Sequence, residues 1–324
     1  MINAFFRWSL VASLMLTFSL SYAENKFSLT TTIKAPSLAG SLLKNKEQQS
    51  LRVYLPKSYY TSSKRYPVLY YFHGYGANHS EVNKLMGYKV KKAIKSGDIN
   101  EMIIVGINGN NQFGGSFYAN SPVTGNWEDY VVNDVINFMD TNYRTINKAQ
   151  YRGLAGFSMG GYAAINIAFK HPDKFKHIFA LSPGLFDPTG LQQAVKQWQK
   201  EGWTDFMDGY AAAFAPNPKS SDDQFWFNWD DSNKLTTASW ESGFGDITTK
   251  IKNYVKQTQK LDNIYIEYGS NDQFKWIVSG SKYLISELEN NNIVVNSFDH
   301  YGSHSLGSTQ ALHIVSFFSE VFPN

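Results

Sequence analysis

Cysteine is absent from the 324 residues of this chain. Its absence excludes disulfide bonds, a thiolate nucleophile and cysteine-based metal sites. A strong charge bias is also missing, because 30 basic residues stand against 27 acidic ones and the formal net charge is only +3. No long block of lysine or arginine occurs, so the composition gives no reason to expect nucleic acid or a membrane surface as a partner.

Long apolar runs are rare, and the one near the N-terminus is short. Residues 9–20 form an almost uncharged run that follows Arg7 and is too short to span a bilayer comfortably. Ser21 and Ala23 place small residues at the two positions that a signal peptidase reads. We therefore expect residues 1–23 to be a cleaved signal peptide and the mature protein to be periplasmic or secreted. The weaker alternative is that the run stays uncleaved and acts as a membrane anchor. If the peptide is cleaved, no stable anchor is expected.

Short apolar runs alternate with amphipathic stretches along the rest of the chain, without internal repeats. This alternation is typical of a mostly parallel sheet flanked by helices, and we expect residues 24–324 to form a single α/β domain. The predicted strands are 51–55, 67–73, 102–107, 151–157, 177–181, 264–268 and 293–298, and the predicted helices are 127–143, 160–170 and 309–321.

The stretch from about 184 to 250 interrupts this alternation and is rich in tryptophan. We interpret it as an insertion above the carboxyl ends of the strands, where ligands bind in α/β folds. Its tryptophans either shape a substrate pocket or pack the insertion onto the rest of the domain, and the sequence allows both. They are Trp198, Trp203, Trp226, Trp229 and Trp240.

The strongest motif is Gly156-Phe157-Ser158-Met159-Gly160, which matches the G-x-S-x-G nucleophile elbow of the α/β-hydrolase fold. The serine of such an elbow lies on a tight turn between a strand and a helix. Gly156 and Gly160 are needed because a Cβ atom there would collide with the neighbouring strand and helix. A strand-like run precedes the motif and a helix of small residues follows it, which is the context that the motif requires. Ser158 is therefore the predicted nucleophile.

A serine hydroxyl needs a base and an orienting acid, and in this fold the chain order is serine, acid, histidine. Asp272 follows the predicted strand at 264–268 and would lie at the carboxyl edge of the sheet, where the acid is needed. Asp262 precedes the same strand and would lie at the opposite end. Asp272 is therefore the predicted acid.

Three histidines follow the predicted acid, namely His300, His304 and His313. His313 falls in the last predicted helix, where a packing or surface role is expected. His300 and His304 share one loop, and we favour His304 as the base because residues 301–303 give the chain room to turn it towards the serine. A metal site built from the two loop histidines is disfavoured, because further ligands are not evident in the sequence. No cofactor is expected.

Two backbone N–H groups are expected to form the oxyanion hole. One belongs to Met159, which follows the nucleophile, and the other comes from the loop after the first central strand, here residues 73–76. We assign the second donor to Tyr75.

An ordered set of segments resembles the putative-esterase, or esterase D-like, family. That family includes feruloyl and acetyl-xylan esterases, S-formylglutathione hydrolases and the antigen 85 mycolyltransferases. The resemblance covers about residues 50–320 and implies Ser158, Asp272 and His304 as the triad. Many members carry an aromatic residue two positions after the histidine, where this chain has Leu306, a departure that bears on the shape of the pocket. The segments are HGYG (73–76), SPVTGNWEDY (121–130), NYRT (142–145), GFSMGG (156–161), HPDKF (171–175), LSPG (181–184), GSND (269–272) and GSHS (302–305).

The leading functional hypothesis is hydrolysis of small acyl or carbohydrate-linked carboxylic esters through an acyl-serine intermediate. The alternative is acyl transfer by the same triad, with a sugar or lipid hydroxyl in place of water. A third hypothesis, a non-catalytic binding protein, predicts a broken triad, whereas the sequence retains all three residues. Hydrolysis of S-formylglutathione is disfavoured because its thiol substrate is cytosolic and the chain is expected to be exported.

Overall fold

A β-sheet of eight strands forms the centre of the computed structural model, which describes residues 27–221, 224–242 and 246–323. The expected signal peptide at 1–23 lies outside the described residues. Numbered along the chain, the strands are β1 Ser28–Lys34, β2 Gln48–Tyr54, β3 Val68–Phe72, β4 Ile103–Ile107, β5 Asn120–Ser121, β6 Gly125–Asn126, β7 Arg152–Phe157, β8 His177–Leu181, β9 Asn263–Gly269 and β10 Asn296–His300.

The main sheet has the order β1-β2-β4-β3-β7-β8-β9-β10, and β5 pairs with β6 in a separate hairpin. The β1–β2 and β2–β4 pairs are antiparallel, and the pairs from β4 to β10 are parallel. The prediction of a mostly parallel sheet is therefore confirmed. The last strand begins at Asn296, three residues later than predicted, and β1 was not predicted, because its threonine-rich sequence is only partly buried.

Helices cover both faces of this sheet. Apart from the segment α2, the α-helices in the described ranges are α1 Tyr88–Ser96, α3 Met159–Lys170, α4 Gly190–Glu201, α5 Thr204–Phe214, α6 Lys234–Trp240, α7 Ile247–Val255, α8 Lys275–Asn290 and α9 Ser308–Val321. A 3₁₀ helix of eight residues spans His79–Met86. Helical segment α2 consists of Trp127–Asp129, a π-helical stretch Tyr130–Val135 and Ile136–Asn142.

The central strands are buried on both sides, as expected where helices cover a parallel sheet. In β3, Val68, Tyr70 and Phe72 enter one apolar cluster, whereas Leu69 and Tyr71 enter a second cluster on the opposite face. The strand therefore reads as a continuous apolar run, although its side chains still alternate between two cores.

The tryptophan-rich stretch lies between β8 and β9 and folds into helices α4 to α7. Trp198 and Trp240 are fully buried, so they pack the segment onto the domain. Trp203 is only partly buried and lines a cavity that also contains Ser158. Packing onto the domain therefore accounts for Trp198 and Trp240, whereas Trp203 borders the cavity beside Ser158 and its role in substrate binding stays a prediction.

Candidate active site

The candidate site lies at the carboxyl ends of the parallel strands. Phe72 at the end of β3 pairs with Gly156 in β7, and Gly269 at the end of β9 pairs with His300 at the end of β10. Loops that leave these strands therefore emerge along one edge of the sheet, which is the edge where ligands bind in folds of this type.

Ser158 occupies a strained turn between β7 and α3. Its backbone has φ 57° and ψ −115°, a conformation that few residues other than glycine adopt. A Cβ atom on Gly156 would approach the backbone of Gly160 to 2.2 Å, and one on Gly160 would approach the carbonyl oxygen of Phe72 to 2.1 Å. Only glycine fits at either position, so the sequence permits the turn that lifts the Ser158 hydroxyl above the sheet.

The structure brings Ser158, His304 and Asp272 into hydrogen-bond contact. Nε2 of His304 lies 2.9 Å from Oγ of Ser158, and Nδ1 of His304 lies 2.6 Å from Oδ2 of Asp272. An ionised carboxylate only accepts hydrogen bonds, so the ring proton of His304 belongs on Nδ1. Nε2 then carries the lone pair and faces the serine hydroxyl, which is the orientation that a general base requires.

Packing and hydrogen bonds hold the acid and the base in place. The Asp272 side chain is fully buried, and its Oδ1 accepts a hydrogen bond of 2.8 Å from the N–H of Phe274. The imidazole of His304 packs against the ring of Phe157 at 4.6 Å and meets Phe274 edge-on at 5.0 Å between ring centroids. Ring orientation at His304 is therefore fixed by contacts on two sides.

His300, which was expected to share a loop with His304, is the last residue of β10, and its side chain points elsewhere. Nε2 of His300 lies 3.9 Å from Oε1 of Glu267, and Nδ1 of His313 lies 2.9 Å from Oε2 of the same carboxylate. Burial raises the pKa of Glu267, and the two histidines oppose that change. His313 was expected to have an ordinary packing or surface role, and its contact with the buried carboxylate of Glu267 was not predicted. Within the described ranges no cluster of three or more acidic or histidine side chains is arranged to hold a metal ion.

The loop after β3 carries Tyr75, the predicted second oxyanion donor. Nε2 of His73 accepts a hydrogen bond of 2.9 Å from the N–H of Gly109, which leaves the ring proton on Nδ1, 2.7 Å from the carbonyl oxygen of Gly74. Burial lowers the pKa of His73 to about 4, so the ring is neutral near pH 7. Because a peptide unit is planar, a fixed Gly74 carbonyl also fixes the direction of the Tyr75 N–H.

Met159, the first predicted donor, begins helix α3. An N–H at the first position of a helix has no partner within that helix and lies at the positive end of the helix dipole. Tyr75 and Met159 line the same cavity as Ser158 and His304. The structure therefore brings both predicted donor residues to the site.

A cavity of about 490 Å³ opens beside the serine, and seven Phe, Tyr or Trp residues are among those that border it. The tryptophan-rich segment contributes Trp203 and Phe206, while the loop and helix after β9 contribute Phe274 and Trp276. Sequence reasoning singled out only Trp203 of these four. Leu306 lies outside the residues that line this cavity and is buried in the second apolar cluster. Leu306, where the chain departs from the family pattern, therefore packs in the core and is not part of the cavity wall.

The sheet order and the elbow at Ser158 define an α/β-hydrolase fold. The family model described as Putative esterase matches residues 44–305, so the chain belongs to that family. An esterase of Mycobacterium tuberculosis is 34% identical over 131 residues, covering 39% of this chain and 27% of that protein. An endo-1,4-beta-xylanase/feruloyl esterase of Xylanibacter ruminicola is 32% identical over 163 residues, covering 46% of this chain and 22% of that protein. The chain spans about a quarter of the length of these curated relatives.

Solved structures share the same fold at low sequence identity. A ferulic acid esterase superposes with a TM-score of 0.62 at 19% identity, covering 91% of this chain and 98% of that one. The S-formylglutathione hydrolase of Staphylococcus aureus gives 0.62 at 17% identity, with coverage of 91% and 98%. A ferulic acid esterase of Anaeromyces mucronatus in complex with ferulic acid gives 0.55 at 17%, with coverage of 91% and 90%. No helix within the described parts of the chain has the length and apolar character needed to cross a membrane.

Proposed function

We propose that this chain is a carboxylic ester hydrolase that uses Ser158 as nucleophile, His304 as general base and acid, and Asp272 as the orienting acid. The observation that carries the proposal is the continuous contact from Ser158 Oγ to His304 Nε2 at 2.9 Å and from His304 Nδ1 to Asp272 at 2.6 Å. Membership of an esterase family supports the same chemistry independently of this geometry.

The reaction proceeds in two halves. Ser158 Oγ attacks the ester carbonyl carbon while His304 Nε2 takes the hydroxyl proton, and His304 then protonates the leaving alcohol as the acyl-serine forms. Water enters next, His304 removes its proton, and the resulting tetrahedral intermediate collapses to the carboxylic acid. Ser158 regains its proton from His304. The N–H groups of Met159 and Tyr75 stabilise the oxyanion in both halves.

The aromatic lining of the cavity supports esters with an apolar or aryl acyl group, including carbohydrate-linked ones. The Xylanibacter relative, which carries feruloyl esterase in its name, supports the same substrate class. Comparison of feruloyl, acetyl-xylan and simple alkyl esters tests this assignment. Equal kcat/KM values for the three would contradict it.

The experiment that tests the proposed reaction is hydrolysis of p-nitrophenyl acetate and butyrate by the protein beside Ser158→Ala. We expect rapid turnover that disappears in the variant, because removal of the nucleophile leaves no group to form the acyl intermediate. Equal activity of the two proteins would overturn the assignment of Ser158. Product analysis with added sugar or alcohol acceptors separates hydrolysis from acyl transfer, since only transfer yields a new ester.

We propose export as a second property, on the strength of residues 1–23 in the sequence. N-terminal sequencing of the protein recovered from the periplasm or the medium should give Glu24 as the first residue. Recovery of the uncleaved chain in the cytosol would contradict export.

A further inference from the structure

Glu81 is a nearly buried carboxylate beside the active site. It lies on the 3₁₀ helix His79–Met86, which follows the loop that carries Tyr75. Its side chain is 7% exposed, and it lines the same cavity as Ser158 and His304. The proposed chemistry gives this carboxylate no role, although a buried charge is costly unless it is well hydrogen-bonded.

Hydrogen-bond donors surround the carboxylate. Its Oε2 accepts from the N–H of Gly74 at 2.9 Å and from the hydroxyl of Tyr71 at 3.1 Å, while its Oε1 pairs with Nζ of Lys84 at 3.1 Å. Burial, with a smaller contribution from Glu81, raises the pKa of Tyr71 well above its usual range, so this hydroxyl keeps its proton. The two oxygens differ in setting, because Lys84 is 54% exposed and its bond faces solvent.

The position of Glu81 relative to the sheet is fixed by the backbone. Asn78 caps the 3₁₀ helix by accepting from the N–H of Ser80, and the N–H of Glu81 donates to the carbonyl of Asn78. The helix lies so close to β4 that a Cβ atom on Gly106 would come within 2.4 Å of the His79 carbonyl oxygen. The backbone of this 3₁₀ helix is therefore fixed relative to the sheet, and Glu81 cannot follow Gly74 if that residue moves.

Gly74 is consequently restrained on both sides. Glu81 holds its N–H, and His73 holds its carbonyl oxygen at 2.7 Å. These two hydrogen bonds restrain the two peptide units that flank the Gly74 Cα. Without them, φ and ψ of Gly74 would be free to change, because glycine has no Cβ to limit them. The direction of the Tyr75 N–H depends on both angles because each peptide unit is planar.

We propose that Glu81 is a positioning residue for catalysis, whose carboxylate oxygen holds the Gly74 N–H so that the Tyr75 N–H points at the oxyanion. This inference rests on the proposed esterase function. Glu81 touches neither the nucleophile nor the base, so its effect is confined to the stabilisation of the transition state. For this role Glu81 needs only a hydrogen-bond acceptor at the position of Oε2, and its negative charge is not required.

Matched variants separate the acceptor from the charge. Glu81→Gln keeps an oxygen for Gly74 and loses the charge, whereas Glu81→Leu has a similar size and offers no acceptor. We expect Glu81→Leu to lower kcat by about 10- to 100-fold on p-nitrophenyl acetate with KM nearly unchanged, as for a displaced catalytic group, and Glu81→Gln to keep most of the activity. Lys84→Met, which removes the exposed ion pair alone, serves as the control and should match wild type.

A transition-state analogue gives a readout that a purely structural role would not move. An aryl trifluoromethyl ketone forms a tetrahedral adduct with the serine, so its affinity should fall with kcat/KM in Glu81→Leu and be retained in Glu81→Gln. If Glu81→Leu does not fold, Glu81→Asp replaces it, because a shorter side chain keeps the charge and loses the reach to Gly74. A folded Leu or Asp variant with wild-type kcat, or with unchanged affinity for the ketone, would overturn the inference. Failure of the esterase proposal is distinguishable, since it would appear as equal activity of wild type and Ser158→Ala.

Discussion

Nδ1 of His73 donates a hydrogen bond of 2.7 Å to the carbonyl oxygen of Gly74, the next residue in the chain. The opposite ring nitrogen accepts from the N–H of Gly109, so the imidazole connects the loop after β3 to the loop after β4. Burial keeps this ring neutral, and a neutral imidazole can donate at one nitrogen and accept at the other. A protonated ring would lose the second contact.

Two substitutions at His73 test which of its contacts matters for activity. Asn carries its amide nitrogen near the position of Nδ1 and keeps the bond to Gly74, whereas Gln places its polar group near Nε2 and keeps the bond to Gly109. We expect His73→Gln to lower kcat by about 10- to 100-fold, because the Gly74 carbonyl and the Tyr75 N–H are then free to turn. His73→Asn should retain more activity. The reverse order in a kcat comparison on p-nitrophenyl butyrate would contradict this role.

His73 also makes stability depend on pH. Its pKa is about 4 in the folded protein and about 6.5 in an unfolded chain, so the unfolded state binds the proton first as pH falls. The contribution to stability is complete above the unfolded pKa and is lost as pH drops through this window towards the folded pKa. Between about pH 7.5 and about pH 5 the loss amounts to about 2 kcal/mol.

Urea unfolding of the wild type and His73→Asn at these two pH values measures that loss. Burial also lowers the pKa of His79 and of His177, so the wild type should lose stability from all three residues. The variant should lose about 2 kcal/mol less than the wild type over the same interval. Identical losses in the two proteins would rule out His73 as a contributor.

Asp272 and Asp262 form a matched pair at opposite ends of β9. Asp272→Asn should lower kcat by about 10³- to 10⁴-fold, because an amide favours the wrong tautomer of His304 and cannot stabilise the imidazolium. Asp262→Asn alters an exposed residue at the distant end of the strand and should leave kcat unchanged. Steady-state rates on p-nitrophenyl acetate decide between them, and an equal loss in both variants would count against the assignment of Asp272.

Much of the candidate site could be predicted because the fold ties function to chain order. Ser158 stands between two glycines after an apolar strand, and Asp272 follows another strand directly, so both loops could be placed at the same edge of the sheet. The structure brings these residues and His304 together as expected, and their catalytic roles stay predictions. Sequence reasoning had only a weak argument against His300 as the base, because the orientation of its side chain depends on the parallel pairing of β10 with β9.

Contacts between residues distant in sequence could not be predicted. Glu128 accepts from Lys170 at 2.6 Å and lies 2.9 Å from Nε2 of His171, although more than forty residues separate it from either. No local pattern in the sequence marks these two contacts of Glu128. The same holds for Glu81, whose contact with Gly74 depends on how closely a 3₁₀ helix packs against Gly106.

Trp203 tests whether the tryptophan-rich segment selects the acyl group. It lines the cavity with Ser158 and packs edge-on against Phe274 at 5.6 Å between ring centroids, whereas Trp229 lies outside the lining of that cavity. We expect Trp203→Ala to lower kcat/KM for a feruloyl ester by about tenfold, which is the usual effect of removing apolar contact from a pocket. The value for an acetyl ester should change less than about threefold, because a two-carbon acyl group has little apolar surface to contact the ring. Trp229→Ala is the control and should leave the ratio of the two esters as in the wild type. A parallel loss for both esters in Trp203→Ala would mean that the tryptophan supports the position of Phe274 and His304 and does not contact the substrate.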